Sequence, residues 1–321
     1  MLFKKRALIF GISGQDGSYL AKLLQKKNYL VFGTSRNPKK IHNLKKIGLT
    51  KIKVFKIDNN DYDEVYKTIK KSRCNQIYYL SGVSSVSLSN KIPFKTIFDN
   101  TNALFNIYES CKKLDKKIRI YSSSSSECFG NQKKKIDDKT KHDPLSPYGL
   151  SKSINYHLTK HYRSNLGLFC VTGFSFNHDS ILRPNNYVLK KVIKFCSNKK
   201  NINKKLSLGN INIVRDWGWA PEHVNFIYKI LQLKKPSDFV IGTGKSTSLK
   251  KIIELIFQRY GFKTSKNIKI DKKKFRKNDI KKNCANISKL KLKLNDYPKT
   301  KINHLIDRII YKNFNRKSKI L

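Results

Sequence analysis

Tyr148 and Lys152 are the first residues in this chain whose types and spacing could do acid/base chemistry. Residues four positions apart share a helix face, so the ammonium of Lys152 would lie beside the phenol of Tyr148. A neighbouring cation favours the phenolate and lowers the tyrosine pKa towards the range of a general base. A structural tyrosine packed over a lysine stem gives the same spacing. The pair therefore indicates proton transfer only if other groups accompany it.

A serine-rich run at residues 121–130 supplies such groups. It leaves a predicted strand and carries Ser125 and Glu127 just beyond it. Open α/β sheets bind ligands at the carboxyl ends of their strands, where this hydroxyl and this carboxylate would meet a substrate. Serine runs also form flexible loops, but this one continues directly from an apolar segment. The run therefore adds hydroxyl groups and one carboxylate, Glu127, to the candidate pair Tyr148 and Lys152.

Three glycines, Gly11, Gly14 and Gly17, separate a short apolar run from the start of a helix. The first permits a tight turn, the second lets the backbone approach a pyrophosphate, and the third allows close helix packing. The helix N-terminus then receives the anion. Glycines also serve ordinary turns, but here a strand and a helix flank them as a dinucleotide site requires.

The choice of cofactor is normally set at the end of the second strand, where an acidic residue would hold the ribose of NAD. This chain has Thr34, Ser35 and Arg36 there. Because an arginine can pair with a 2′-phosphate, we predict NADP, although Arg36 could also be an ordinary surface arginine. Asp58 follows the third strand, where it would touch the adenine end or cap the next helix.

Short apolar runs alternate with amphipathic stretches, which is typical of βαβ units. Leu20, Leu23 and Leu24 share one face of a helix predicted at 18–26, and a second helix is predicted at 154–165. The fold class is therefore α/β, with a doubly wound parallel Rossmann-type sheet. The predicted strands are 7–10, 30–33, 52–57, 76–80, 118–122 and 168–174.

The rhythm changes near residue 177, after which longer helices are broken by loops. We predict an NADP-binding Rossmann domain at 1–176 and a mainly substrate-binding, smaller lobe at 177–321. A late apolar run near 239–242 should return to the main sheet. The length of 321 residues suits one large domain with such a lobe.

The net charge of +48 would favour phosphate backbones or anionic membranes at low salt. The lysines are scattered over helix faces without a recognisable nucleic-acid motif, so we expect a solvated surface and no specific nucleic acid or membrane partner. Six widely spaced cysteines predict buried free thiols and no metal site. No apolar run reaches the roughly 18 residues of a membrane span, and we expect a cytoplasmic protein.

The Tyr-x-x-x-Lys pair, the serine run and the glycine turn together resemble the extended short-chain dehydrogenase/reductase family. Within it, the chain is similar to the GDP-mannose 4,6-dehydratases as far as about Asn295. Two elements are specific to that branch, Gly-Gln-Asp-Gly-Ser-Tyr-Leu at 14–20 and Arg-Asp-Trp-Gly at 215–218. The other matching stretches are 124–130, 146–148, 176–180 and 208–210.

This resemblance implies a hydro-lyase that turns GDP-mannose into GDP-4-keto-6-deoxymannose by internal hydride transfer through NADP. Ser125 would bind the sugar 4-hydroxyl, Tyr148 would take its proton, and Lys152 would hold the nicotinamide ribose. Glu127 would be the C5 base and the acid for the departing C6 hydroxyl. The implied cofactor contacts also include Gln15 and Asp16, and the implied substrate contacts are Ser84, Ser125, Asn177, Lys191, Arg215 and Arg276, with Glu222 a candidate for the nucleotide.

The chain departs from the family pattern at Val83, where an amide side chain is usual, and after Arg276, where Lys277 replaces proline. A GDP-manno-heptose 4,6-dehydratase would use the same chemistry. An epimerase or a reductase of the same family would not need Glu127, and a non-catalytic NADP-binding or RNA-associated protein would need none of the four predicted catalytic residues. The long basic loop at 36–46, whose family counterpart reaches a neighbouring subunit, predicts a homodimer or homotetramer.

Overall fold

The computed structural model describes residues 5–39, 41–114, 117–276 and 278–314. Strands and helices alternate along most of these residues. The strands are β1 Arg6–Phe10, β2 Leu30–Ser35, β3 Lys53–Lys56, β4 Gln76–Tyr79, β5 Arg119–Ser125, β6 Cys170–Ser175, β7 Asn177–Asp179, β8 Leu206–Leu208, β9 Val214–Trp219, β10 Phe239–Ile241, β11 Ser246–Ser248 and β12 Ile268–Ile270.

The helices fill the connections between these strands. Short 3-10 helices cover Ser126–Phe129, Lys199–Asn201 and Lys272–Lys274. The α-helices are α1 Gln15–Lys26, α2 His42–Lys46, α3 Tyr62–Ser72, α4 Val86–Ser89, α5 Pro93–Lys113, α6 Pro147–Leu166, α7 Val188–Cys196, α8 Ala220–Leu231, α9 Leu249–Tyr260, α10 Thr264–Asn267, α11 Ser288–Leu294 and α12 Ile302–Phe314.

The central sheet has seven strands in the order β10-β6-β5-β4-β1-β2-β3, all paired in parallel. Helices cover both faces of this sheet, and successive side chains of each strand pack against opposite faces. Ile9 of β1 packs in the apolar cluster of α1 and α8, and its neighbour Leu8 packs in that of α3 and α5. This confirms the predicted α/β class and the strands expected from the apolar runs.

A second group of elements builds a smaller lobe. Strands β7, β9 and β11 form one small sheet, and β8 and β12 form another. Helices α7, α9 and α12 share an apolar cluster with β8 and β9. Helix α8 and strand β10 belong instead to the main sheet, β10 pairing with β6 as its late apolar run predicts. The division at residue 176 stays a prediction.

Several composition-based expectations concern the interior. The six cysteines all lie in the described ranges, none of them forms a disulfide, and all are buried, as predicted from their positions in apolar runs. Burial raises the pKa of the Cys128 thiol, which lies next to the candidate catalytic residues, to about 11. None of the helices in the described ranges is long and apolar enough to cross a membrane.

Candidate active site

The four predicted catalytic residues meet at the carboxyl end of β5. The strand extends to Ser125, and a 3-10 helix then carries Glu127. Helix α6 begins at Pro147, seven residues before its predicted start, because Ser146 caps it by accepting the N–H of Gly149 at 3.0 Å. Tyr148 and Lys152 therefore lie in the first turns of α6, beside β5.

Gly149 lets these two segments approach each other. A Cβ at this position would lie 2.5 Å from the carbonyl oxygen of Glu127, closer than any side chain tolerates. Only glycine therefore allows α6 to pack directly against the 3-10 helix. The close packing sets Tyr148 beside Ser125 and Glu127.

The pKa of Tyr148 does not follow the sequence-based expectation. Burial raises the pKa well above 10, and hydrogen bonding with Ser125 lowers it only in part. The charges of Cys128 and Glu127 raise it further. The sequence predicts that Lys152 lowers this pKa towards the range of a general base, but in the structure burial is the largest influence and the pKa is raised instead.

Lys152 is almost fully buried, with 5% of its surface exposed. Its ammonium donates to the carbonyl oxygen of Ser123 at 2.9 Å and lies 5.9 Å from the centre of the Tyr148 ring. Burial lowers the pKa of Lys152 to about 8. The lysine thus stands on the same helix face as Tyr148, as its spacing predicts, and is anchored to the edge of β5.

Glu127 is partly buried and lies in the field of two arginines. Burial raises the pKa of its carboxyl, whereas the charges of Arg215 and Arg276 lower it and that of Asp279 raises it. Among the described residues no hydrogen bond reaches the Glu127 carboxylate, so both of its oxygens can meet a substrate. A carboxyl with a raised pKa is better suited than an ordinary surface glutamate to take up a proton and give it back.

The two arginines share Asp279. Arg215, on β9 and 3% exposed, contacts the Asp279 carboxylate at 3.0 Å, and Arg276 contacts the same oxygen at 3.5 Å. One carboxylate thus balances two guanidinium groups and leaves an excess positive charge beside Glu127. Such a cluster is suited to hold a phosphate group. Sequence reasoning found both arginines but not the pairing with Asp279.

The glycine turn has the geometry that a dinucleotide requires. Gly11 has φ +83°, and a Cβ there would lie 2.8 Å from the backbone of Ser81. A Cβ on Gly17 would meet the carbonyl oxygen of Gly11 at 2.3 Å. At Gly14 that same carbonyl, at 3.3 Å, is the one described neighbour within 4 Å, so this side of the turn is open. No described side chain caps α1, and its first N–H groups can receive a pyrophosphate.

Gln15 and Asp16, predicted to contact the cofactor, have their side chains engaged with β7 instead. The Asp16 carboxylate contacts Nε2 of His178 at 2.9 Å. The Gln15 amide donates to the carbonyl oxygen of His178 at 3.3 Å and accepts the hydroxyl of Ser180 at 2.8 Å. Cofactor contacts from these two residues would therefore come from their backbone. Sequence reasoning missed His178 because 162 residues separate it from Asp16.

Arg36 and Asp58 both lie exposed at the carboxyl edge of the sheet, after β2 and β3. Thr34, two residues before Arg36, is buried. Asp58 does not cap the next helix, because Asp61 accepts the N–H of Glu64 at 2.9 Å and is the N-cap of α3. The Asp58 carboxylate instead accepts the N–H of Asn60 at 3.0 Å.

The predicted substrate contacts line the junction of sheet and lobe. The Ser84 hydroxyl lies 2.9 Å from the phenol of Tyr187, which precedes α7. The exposed Lys191 lies in the first turn of α7, and its N–H donates to the Tyr187 carbonyl at 2.8 Å. Asn177 begins β7 and pairs with Trp217, two residues from Arg215.

Glu222 has a structural partner. Its carboxylate accepts the backbone N–H groups of Lys299 at 3.3 Å and Thr300 at 3.1 Å. This contact holds the segment before α12 on the first turn of α8. Both carboxylate oxygens are used in it, so recognition of the nucleotide by Glu222 finds no support.

Asn100, which sequence reasoning did not single out, fixes the segment after β4. Its buried amide exchanges hydrogen bonds with the backbone of Val83 at 2.9 and 3.2 Å and donates to the hydroxyl of Ser151 at 2.9 Å. Asn100 thus ties the backbone of Val83, directly after Gly82, to α6. Asn100 is one of three asparagines in α5, so neither its type nor its spacing signals this role.

Comparisons with known proteins agree on one family. The family model described as GDP-mannose 4,6 dehydratase matches residues 8–309. The chain is 30% identical to GDP-mannose 4,6 dehydratase 1 of Arabidopsis thaliana, covering 96% of this chain and 89% of that protein. It is 32% identical to the GDP-mannose 4,6-dehydratase of Vibrio cholerae serotype O1, covering 80% and 72% of the two chains.

Solved structures share the fold at lower identity. A dTDP-glucose 4,6-dehydratase from Bacillus anthracis in complex with NAD superposes with a TM-score of 0.83, at 19% identity over 97% of each chain. A UDP-glucose 4-epimerase of Thermus thermophilus in complex with NAD gives 0.81, at 18% identity over 95% of this chain and 98% of that one. Both confirm the Rossmann-type architecture.

The electrostatics of Glu127 can be tested by titration. Because the positive charge of Arg215 lowers the pKa of the Glu127 carboxyl, Arg215→Gln should raise that pKa. Arg276→Gln should also raise this pKa. Because Arg276 is more exposed than Arg215, this second variant still tests the effect if Arg215→Gln does not fold. The chain has five glutamates, so carboxyl-carbon NMR can follow each one, with Glu127→Gln giving the assignment.

Arg259→Gln is the matched control, since Arg259 pairs with Asp307 in the lobe and does not act on Glu127. It should leave the pKa of Glu127 unchanged. A fall of that pKa in both arginine variants of the site would contradict the assigned geometry.

Proposed function

The chain belongs to the GDP-mannose 4,6-dehydratase family, and we propose that it converts GDP-mannose into GDP-4-keto-6-deoxymannose with the loss of one water. One observation carries the proposal beyond family membership. Ser125, Glu127, Tyr148 and Lys152 lie together at the carboxyl end of β5, and Arg215 lies beside Glu127. An epimerase or a reductase would have no use for that carboxylate.

The cofactor is a pyridine nucleotide, and we propose NADP. The open turn at Gly14, the uncapped start of α1 and Arg36 after β2 support it. When bound, NADP supplies a nicotinamide ring that takes a hydride from C4 of the sugar and later gives it back at C6. The enzyme would then need no net oxidant.

Ser125, Tyr148 and Lys152 begin the reaction. Ser125 hydrogen-bonds the sugar 4-hydroxyl, and Tyr148 removes its proton as the 4-ketone forms. Burial holds Tyr148 protonated at rest, so the phenolate must be stabilised when substrate and cofactor are in place. The ammonium of Lys152, on the same helix face, supplies a positive charge 5.9 Å from the centre of the ring.

Glu127 carries out the elimination. The 4-ketone acidifies the C5 proton, which the Glu127 carboxylate removes. The same group, once protonated, donates to the departing C6 hydroxyl, and water leaves. Once C6 has received its hydride, C5 takes up a solvent-derived proton through the Glu127 carboxyl, which balances the proton that Tyr148 took from the 4-hydroxyl. The opposing effects of burial and of Arg215 on the Glu127 pKa support both roles.

The remaining contacts belong to the nucleotide half of the substrate. Arg215 and Arg276 would hold phosphate, with Asn177 and Lys191 beside the diphosphate and Ser84 near the sugar. All of these residues except Ser84 lie after residue 176, which supports a division of labour in which 1–176 bind the cofactor and 177–321 mainly the substrate. Asp58 would touch the adenine end of the cofactor.

We also propose a homodimer or a tetramer built from it. Helices α5 and α6 run side by side in the same direction, since Asn100 contacts Ser151 and Tyr108 contacts Thr159. Large apolar side chains stand exposed on this pair, a pattern that marks a protein interface. They are Phe94 at 79%, Phe98 at 46%, Phe105 at 45%, Leu150 at 42% and Ile154 at 37% exposure.

The sharpest test of the reaction is isotope exchange at C5. In heavy water the product should carry deuterium at C5, because Glu127 exchanges its proton with solvent. Glu127→Gln keeps the shape but cannot accept a proton, so turnover should fall by at least about 10²-fold. NADP binding should persist. Mass spectrometry and NMR of the product measure the turnover and the deuterium at C5.

Two further variants locate the defect. Tyr148→Phe should fail earlier, with no transient NADPH absorbance, whereas Glu127→Gln should still produce that absorbance. Glu254→Gln, on α9 in the lobe, is the matched control and should turn over normally. A Glu127→Gln enzyme within roughly tenfold of the original would remove the main support for the dehydratase assignment.

Cofactor choice is tested by calorimetry with NADP and NAD. The original chain should bind NADP more tightly, and Arg36→Ala should lose most of this preference because the partner of the 2′-phosphate is gone. Arg73 is exposed just before β4, at the amino ends of the strands, and is the matched control. Arg73→Ala should change neither affinity. Equal affinities in the original chain would refute the choice of NADP.

The oligomer is tested by light scattering at moderate salt. The chain should be at least dimeric, and Phe98→Lys should weaken the association because it places a charge in the apolar face of α5. Leu292→Lys changes a more exposed side chain, on α11, and should not weaken it. A monomeric original chain, or a Phe98→Lys variant that associates normally, would contradict the arrangement.

A further inference from the structure

His178 is held between two hydrogen-bond acceptors. Its Nδ1 lies 2.7 Å from the carbonyl oxygen of Phe176, and its Nε2 lies 2.9 Å from the carboxylate of Asp16. A backbone carbonyl accepts and never donates, and an ionised carboxylate does the same. Both ring nitrogens must therefore carry a proton, and the ring is an imidazolium cation.

The surrounding groups support this charge state. Burial lowers the pKa of His178, but the charge and the hydrogen bond of Asp16 raise it above its usual range overall. Burial likewise opposes ionisation of Asp16, yet His178 holds the pKa of that carboxyl well below 3.8. His223, whose ring centre lies 4.5 Å away, has a pKa lowered far below 6.5 by burial and stays neutral.

Asp16 occupies a sensitive position. It lies in the first turn of α1, where a carboxylate stabilises the helix dipole but repels any other anion brought to the same helix end. A diphosphate at the glycine turn is such an anion. An unpaired Asp16 would therefore weaken the binding of the dinucleotide.

The same pair also connects the two halves of the molecule. Asp16 belongs to the turn of the first βα unit, whereas His178 lies on β7 in the small sheet that carries Arg215 on β9. Gln15 and Ser180 make a second bond across this junction, and Ser180 also accepts the N–H of Leu182 at 3.1 Å. The cofactor turn and the strand of Asn177 are thus fixed to each other.

We propose that His178 is a positioning residue for cofactor binding, whose imidazolium neutralises Asp16 at the start of α1 and so permits a diphosphate to bind there. The inference rests on the proposed function, since it concerns the pyridine dinucleotide of that reaction. It assigns to a residue of the smaller lobe a part in binding the cofactor without touching it. Arg183, whose charge also acts on Asp16, adds to the neutralisation from farther away.

The test is a charge-balance series with direct NADP titration by calorimetry. His178→Gln retains a donor towards Asp16 but removes the positive charge, so NADP affinity should fall by about tenfold or more. Asp16→Asn is the reference for the double variant, because it leaves no carboxylate for His178 to neutralise. The double variant should recover to within about threefold of the original affinity, although it retains the substitution of His178.

Recovery in the double variant separates charge from structure. If His178 served only to hold the fold, the double variant would bind no better than His178→Gln, and that result would overturn the inference. Unchanged binding in His178→Gln would overturn it as well. Thermal unfolding of each variant shows that it is folded, and His161→Gln, an exposed histidine on α6, is the matched control.

The two proposals fail in different ways. An original chain that binds no pyridine dinucleotide would defeat both the inference and the proposed function. An original chain that binds NADP and dehydrates GDP-mannose, combined with a His178→Gln variant of normal affinity, would defeat the inference alone.

Discussion

The candidate site depends on one close approach, between Gly149 at the start of α6 and the carbonyl group of Glu127. Nothing larger than hydrogen fits there, since a Cβ would lie 2.5 Å from that oxygen. The contact brings the first turns of a helix against the carboxyl end of a parallel strand, where open α/β sheets present their ligand sites. Tyr148 and Lys152 then meet Ser125 and Glu127 although the helix and the strand are separate in sequence.

Burial is the largest influence on the pKa values of Tyr148 and Glu127, and at Glu127 the charges of two arginines oppose it. Burial raises the pKa values of Tyr148 and Glu127, and nearby groups of the protein compensate only in part. The cations are placed where negative charge would develop, Lys152 by Tyr148 and Arg215 by Glu127. Asp279 and Asp16 show the converse, because each carboxylate is neutralised by a cation that arrives from another element. The resting protein is thus set to accept the anionic parts of a nucleotide sugar and a dinucleotide.

Much of the fold could be predicted from the sequence. A parallel sheet buried on both faces gives short continuous apolar runs, and each such run became a strand of the main sheet, including the late return at Phe239. The first turns of α6 could be expected only from the spacing of Tyr148 and Lys152, because the apolar periodicity begins later than the Ser146 cap. Residues with a local motif, such as Gly11 and Tyr148, could be found from their spacing, whereas Ser125 was chosen from a run of serines by the resemblance to the family.

What the sequence could not reveal are properties of long-range contacts. The pairing of Asp16 with His178 joins residues far apart in the chain, and neither residue type nor spacing indicates it. The raised pKa of Tyr148 has the same origin, since the four-residue spacing shows the neighbouring lysine but not how thoroughly other elements bury the phenol. The nucleotide role suggested for Glu222 finds no support for a related reason, since the partners of its carboxylate, at 299–300, are far from it in the chain.

The most direct measurement of the central claim is the stoichiometry of a reaction with excess GDP-mannose and a small amount of NADP. An internal hydride transfer predicts that all of the sugar nucleotide loses one water, as seen by mass spectrometry, while no NADPH accumulates. A product limited to the amount of NADP added, with matching accumulation of NADPH, would show a simple dehydrogenase. An altered sugar of unchanged mass would show an epimerase, and either result would contradict the account.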